Sequence, residues 1–176
     1  MKSMRPYDAF LLISFGGPEG EDEVIPFLEN VTRGRNIPRE RLAEVGEHYF
    51  LFGGVSPINQ QCRDLLAAVT ADLESAGIDL PVYWGNRFWT PMLTDTLEQM
   101  KKDGVRRVLA VPTSAYCNWS SRTAYLEDID RARAALGEGA PEIDLVRPFY
   151  DHPGFVDPLA EYTRDALDRL PADQRE

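Results

Sequence analysis

The stretch Tyr7 to Phe15, YDAFLLISF, is almost continuously apolar and stops at Gly16-Gly17-Pro18. A short run that is apolar on successive residues and closed by turn formers fits a strand buried on both faces. Such a strand needs helices on each side of its sheet, so this one segment points to a parallel sheet in an α/β fold. Pro81 to Gly85 and Arg106 to Pro112 repeat the pattern, and Glu142 to Pro148 is a weaker fourth run.

Helical patterns separate these runs. Cys62 to Ala76 carries Leu65, Leu66, Val69 and Leu73 at helical spacing, and Pro91 to Lys102 carries Leu93, Leu97 and Met100. Gly104 suits the cap that ends the second. Ser121 to Leu136 sets Tyr125, Ile129 and Ala132 on one side, and Phe155 to Leu170 reads as a last helix. Shorter helices fit Glu21 to Val31 and Arg39 to Phe50. The alternation predicts an open, mostly parallel sheet with helices on both faces. No repeat or low-complexity linker divides the 176 residues, which suit one domain.

The net charge of −10 opposes nucleic-acid binding, because phosphate recognition needs a basic face. It leaves room for a small anionic ligand held by local arginines. No stretch approaches the length of a membrane span, and the apolar run after the basic start is too short for a signal-peptide core, so the cytoplasm is the expected location. Cys62 and Cys117 have no metal-site or redox spacing and read as buried free thiols.

In open α/β sheets ligands bind beyond the C-terminal ends of the strands. Those ends here are Ser14 to Pro18, Gly85 to Trp89, Thr113 to Ser121 and Phe149 to His152, all rich in aromatics and small hydroxyls. Together with His48 to Pro57 they would build a wide pocket with flat apolar walls, suited to a large planar ligand. Gly16-Gly17-Pro18-Glu19-Gly20 matches neither phosphate-loop pattern, and its neighbours Glu21, Asp22 and Glu23 oppose phosphate. Ser56 precedes Pro57 outside any nucleophile elbow, and His48 and His152 form no ligand pair. Taken singly, Trp84, Trp89 and Trp119 read as core, Arg33-Gly34-Arg35 as a solvated helix end, and Gly53-Gly54 as a turn. The apolar stretch Tyr49 to Val55 reads as a cover for ligand or core rather than a membrane lip.

Six stretches in order carry a resemblance. They are Leu11 to Pro18, Asn30 to Arg35, His48 to Asn59, Gly85 to Pro91, Ala124 to Ile129, and Phe149 to Pro153. Across nearly its whole length the chain resembles the N-terminal half of a bacterial ferrochelatase, of the type that uses coproporphyrin III. The resemblance implies two similar α/β domains with the porphyrin between them, of which residues 1–176 are the first. It implies insertion of Fe²⁺ into the macrocycle in haem biosynthesis. By the same likeness Ser56 and Tyr125 contact porphyrin propionates, and Arg33 belongs to the basic segment beside them. His48 and Tyr49 line that edge. Phe15 stands where some relatives place a metal-facing tyrosine, and it can only pack on the macrocycle. Thr32 replaces an arginine of some relatives.

The family's catalytic histidine and glutamate fall beyond the position matching Glu176, so the resemblance assigns no catalytic residue here and implies a chain inactive alone. Many relatives carry cysteines for a [2Fe-2S] cluster, and Cys62 and Cys117 do not match them. A chain without its second domain is expected to self-associate through the apolar face meant for it. The alternative kept open is a tetrapyrrole- or haem-binding module without catalysis.

Overall fold

The structure, a computed structural model, describes residues 7–171. The basic start at residues 1–6 and the closing residues 172–176 lie outside them. Four strands form: β1 (Ala9–Ser14), β2 (Val82–Asn86), β3 (Arg107–Pro112) and β4 (Glu142–Leu145). All three pairings are parallel and the order is β2-β1-β3-β4. Six α-helices accompany them: α1 (Glu21–Val31), α2 (Arg39–Phe50), α3 (Ile58–Ser75), α4 (Leu93–Lys102), α5 (Ala124–Leu136) and α6 (Pro153–Asp168).

Alternation along β1 sends Ala9, Leu11 and Ile13 to one face, where they are buried with Val108 and Ala110 of β3. Leu93, Leu97 and Met100 of α4 and Tyr125, Ile129 and Ala132 of α5 close over them. On the opposite face α3 lies over β1 and β2. A second apolar cluster joins Val24, Phe27 and Leu28 of α1 to Leu42 of α2, above the C-terminal end of β1. The acids Glu21, Asp22 and Glu23 occupy the first turn of α1, where the helix dipole favours them.

Two expectations change. The helix expected from Ser121 begins with a π-helical turn at Trp119–Thr123. Asn118 accepts from the Ser121 backbone N–H, and the Asn118 backbone N–H donates to Ser121 Oγ, so a reciprocal cap starts the turn earlier. Cys62 is buried on α3, but Cys117 is exposed, because its loop runs outside both apolar clusters. Among the described residues no helix is long and apolar enough to cross a membrane.

Candidate functional site

Beyond the C-terminal ends of β1 and β2 lies a cavity of about 580 Å³, within the size range of small-molecule sites. Four arginines line it, Arg33, Arg35, Arg87 and Arg131, against the two carboxylates Glu127 and Asp128. Phe88 and Trp119 supply flat apolar wall, with Met92 and Leu93 between. A cationic cavity in a chain of net charge −10 is a local choice of residues, not a reflection of composition.

Each arginine reaches the cavity from a different element. Arg33 and Arg35 follow the end of α1, and Gly34 between them, two residues past the cap Thr32, takes φ +81°. The Arg33 guanidinium donates to Asn30 Oδ1 on the last turn of α1. Arg87 follows β2 and is nearly buried, and its Nε donates to Asp128 Oδ2 on α5. Arg131, one turn further along α5, donates to the other oxygen of Asp128 at 2.7 Å. Asp128 thus holds two guanidinium groups at the cavity wall. The Arg87 guanidinium also lies between two rings, 4.8 Å from the centre of Phe88 and 4.9 Å from that of Tyr125, so stacking fixes its plane.

The residues expected from sequence divide. Arg33 lines the cavity. Phe15 sits one ring behind the wall, 4.7 Å from Phe88, and packs on Phe27 at 6.2 Å. Tyr49 is half-buried against Phe27 in the same aromatic shelf, and burial raises its phenol pKa. Ser56 is half-buried where the chain returns past Gly17, its backbone N–H donating to Pro18 O at 2.8 Å. His48 is exposed in the last turn of α2 and is not on the cavity lining. Tyr125 is 5% exposed. It lies in the core under Arg87 and does not line the cavity. Burial raises its phenol pKa, with a hydrogen bond to Thr113 and the charge of Arg87 opposing the shift.

Arg35, Arg87, Arg131 and Trp119 also line the cavity, though none of them is among the residues expected to contact the ligand. Trp119, read singly as core, is instead 59% exposed at the rim, because the early turn at Asn118 carries it outward. Arg87 had a signal, its place at a strand end. Arg131 had none, since its role depends on α5 bringing Asp128 beside Arg87.

Two metal questions meet this geometry. A [2Fe-2S] cluster needs four protein ligands, and the chain offers two cysteines, one buried on α3 and one exposed after β3. The residues present do not fit that cluster. Among the described residues no group of three or more His, Cys, Asp or Glu side chains is placed to hold a metal ion.

The sequence model of the ferrochelatase family matches residues 7–176. The coproporphyrin III ferrochelatase of Streptomyces coelicolor is 58% identical over 174 residues, 97% of this chain and 46% of that protein. That of Nocardia farcinica is 55% identical, covering 96% of this chain and 48% of its own length. A ferrochelatase of Rhodopirellula baltica is 54% identical, covering 98% and 49%. The chain therefore spans about half the length of the curated relatives it matches. The solved structure of a CbiX protein from Marinobacter aquaeolei aligns over 92% of this chain and 98% of its own, with a TM-score of 0.50. At 15% identity that likeness concerns the fold alone.

Proposed function

The chain belongs to the ferrochelatase family, and from that premise we propose that it forms the porphyrin-holding part of a coproporphyrin III ferrochelatase. The observation that carries this reading is the arginine-lined cavity beyond β1 and β2. Coproporphyrin presents a flat apolar ring with four propionates at its rim. Arg33, Arg35, Arg87 and Arg131 offer charge-assisted donors to the carboxylates, and Phe88 and Trp119 offer faces for the macrocycle. Asp128 keeps Arg87 and Arg131 in place, so less order is lost on binding. By resemblance Ser56 and Tyr125 approach propionates. Tyr125 would do so only at its hydroxyl, next to Thr113, and otherwise acts by supporting Arg87.

In the reaction assigned to the family, Fe²⁺ binds four pyrrole nitrogens while two N–H bonds break and two protons leave. A base must come within reach of those protons. His48 lies exposed on α2, and His152 caps α6 by accepting from the Gly154 N–H at 3.1 Å. Neither lines the cavity. By the resemblance, the family's histidine and glutamate correspond to positions after Glu176. The 176 residues by themselves are therefore proposed to bind the porphyrin without speeding iron insertion.

The test is a Soret-band titration of the chain with coproporphyrin III, followed by an iron-insertion assay. Saturable binding is expected, weakened roughly tenfold by Arg33→Ala, as for loss of an exposed hydrogen bond to a charged group, and more so at low salt. An unchanged Soret band overturns the reading. Insertion above the spontaneous rate overturns the claim that the chain is inactive alone.

A further inference from the structure

Among the described residues, four buried side-chain atoms have no hydrogen-bond partner in the protein: Ser14 Oγ, Asn59 Oδ1, Trp84 Nε1 and Asn86 Oδ1. Such atoms are rare in folded chains, because each gives up its hydration without return. These four share one place. Ser14 and Asn86 are register partners at the ends of β1 and β2, so their side chains leave the sheet on the same face. It is the face opposite Ile13, the one that α3 covers. Trp84, two residues before Asn86, points the same way, and the Arg63 guanidinium of α3 lies over its ring at 5.9 Å. Asn59, fully buried, stands one turn before Arg63 on the same helix. All four atoms therefore lie in one layer, between the ends of β1 and β2 and the first turns of α3.

The bonds that the two amides do make fix which way they face. Asn59 Nδ2 donates to Gly17 O at 3.0 Å, and Asn86 Nδ2 donates to Thr90 O at 3.1 Å. Each amide oxygen is left as an acceptor. Trp84 Nε1 can only donate, and the Ser14 hydroxyl can do both. A cation here would face the indole N–H and the nearby Arg63 guanidinium. An anion would face two amide oxygens. The set calls for a small neutral group that donates and accepts, which is the chemistry of water.

We propose that Ser14, Asn59, Trp84 and Asn86 form a binding site for ordered water at the base of the arginine-lined cavity. Asn86 also lines that cavity, which gives the water its way in. The bound water bridges α3 to both strand ends. Through Asn59 it steadies the turn at Gly17, and through Asn86 the loop from Arg87 to Thr90. The proposal stands independently of which ligand the cavity takes.

Water-selective nuclear Overhauser spectra of the 176-residue chain test it, together with a high-resolution crystal structure. The indole proton of Trp84, assigned with Trp84→Phe, is expected to give a cross-peak to water with the sign of a long-lived bound molecule. The crystal structure should show water within about 3.2 Å of Trp84 Nε1 and of at least one of the two amide oxygens. Asn59→Leu removes one acceptor and fills its space with hydrocarbon, so the cross-peak should be lost while circular dichroism is retained. Absence of the cross-peak in the parent chain overturns the proposal. A crystal structure in which the site is dry, or in which the four atoms pair with one another, overturns it as well. A cross-peak that survives Asn59→Leu places the water elsewhere and overturns the shared site. If Asn59→Leu does not fold, the crystal structure of the parent chain decides.

Discussion

At the scale of single residues, Gly17 and Ser56 stand closer than any side chain at Gly17 would allow. A Cβ on Gly17 would meet Ser56 Cβ at 2.6 Å, Ser56 Oγ at 2.7 Å and Ile58 Cγ2 at 2.8 Å. The glycine is therefore needed for close approach, and it fixes where the Ser56 hydroxyl stands. Gly17→Ala is expected to destabilise the fold by about 1–3 kcal/mol, as overpacking does, and to weaken porphyrin binding by displacing Ser56. Thermal melts and the Soret titration read the two effects, and an unshifted melting temperature would show that the loop yields without strain. Gly54 is a second such position, with φ +72° and the Glu21 backbone 2.5 Å from where its Cβ would lie. The sequence displayed these glycines beside turn formers but not what pressed on them. Cys117 and Trp119 show the same limit. Residue type predicted burial for both, and both are exposed because their loop has no apolar cluster beneath it.

At the scale of elements, α5 links the core to the site. Its inner face, Tyr125, Ile129 and Ala132, packs on the sheet, and Asp128 on its flank holds Arg87 and Arg131. The side chains of Arg87 and Asp128 are 11% and 15% exposed, so removing one leaves the other charge poorly solvated. Asp128→Ala is expected to cost roughly 3 kcal/mol, the lower end for breaking a buried pair, and to lower porphyrin affinity through Arg87. Denaturant midpoints measure the first effect, and an unchanged midpoint would place the pair in effectively solvated surroundings. The elements themselves were legible. The run from Ala9 to Ile13 has no polar residue to interrupt burial, and Leu93, Leu97 and Met100 repeat at helical spacing, so strand and helix followed from local pattern. The start of α5 was not legible, because the side chain of Asn118 and the hydroxyl of Ser121 cap each other and set it.

At the scale of the whole molecule, tyrosines on three separate elements respond to alkali in the same sense. Burial and the Asp103 carboxylate push the Tyr83 phenol up from 10.0 to about 12, and burial raises Tyr49 and Tyr125. A phenol whose pKa is higher in the folded chain than in the unfolded one holds its proton more tightly when folded. Its contribution is complete below the ordinary phenol value and is lost as pH rises through the folded one. Stability should therefore fall between pH 10.0 and about 12, and Tyr83→Phe should flatten that fall. Urea midpoints across this range test it, and a slope unchanged in the variant would remove Tyr83 from the account. The sequence by itself determined the class of fold and the order of its strands and helices. These follow from periodicity, which is a local property of the chain. Only the tertiary structure decided that Arg33, Arg87 and Arg131 converge, that Tyr125 supports rather than lines the cavity, and that, among the described residues, none on α6 is buried. Those outcomes depend on which faces the order β2-β1-β3-β4 brings together, and residues distant along the chain carry no local mark of meeting.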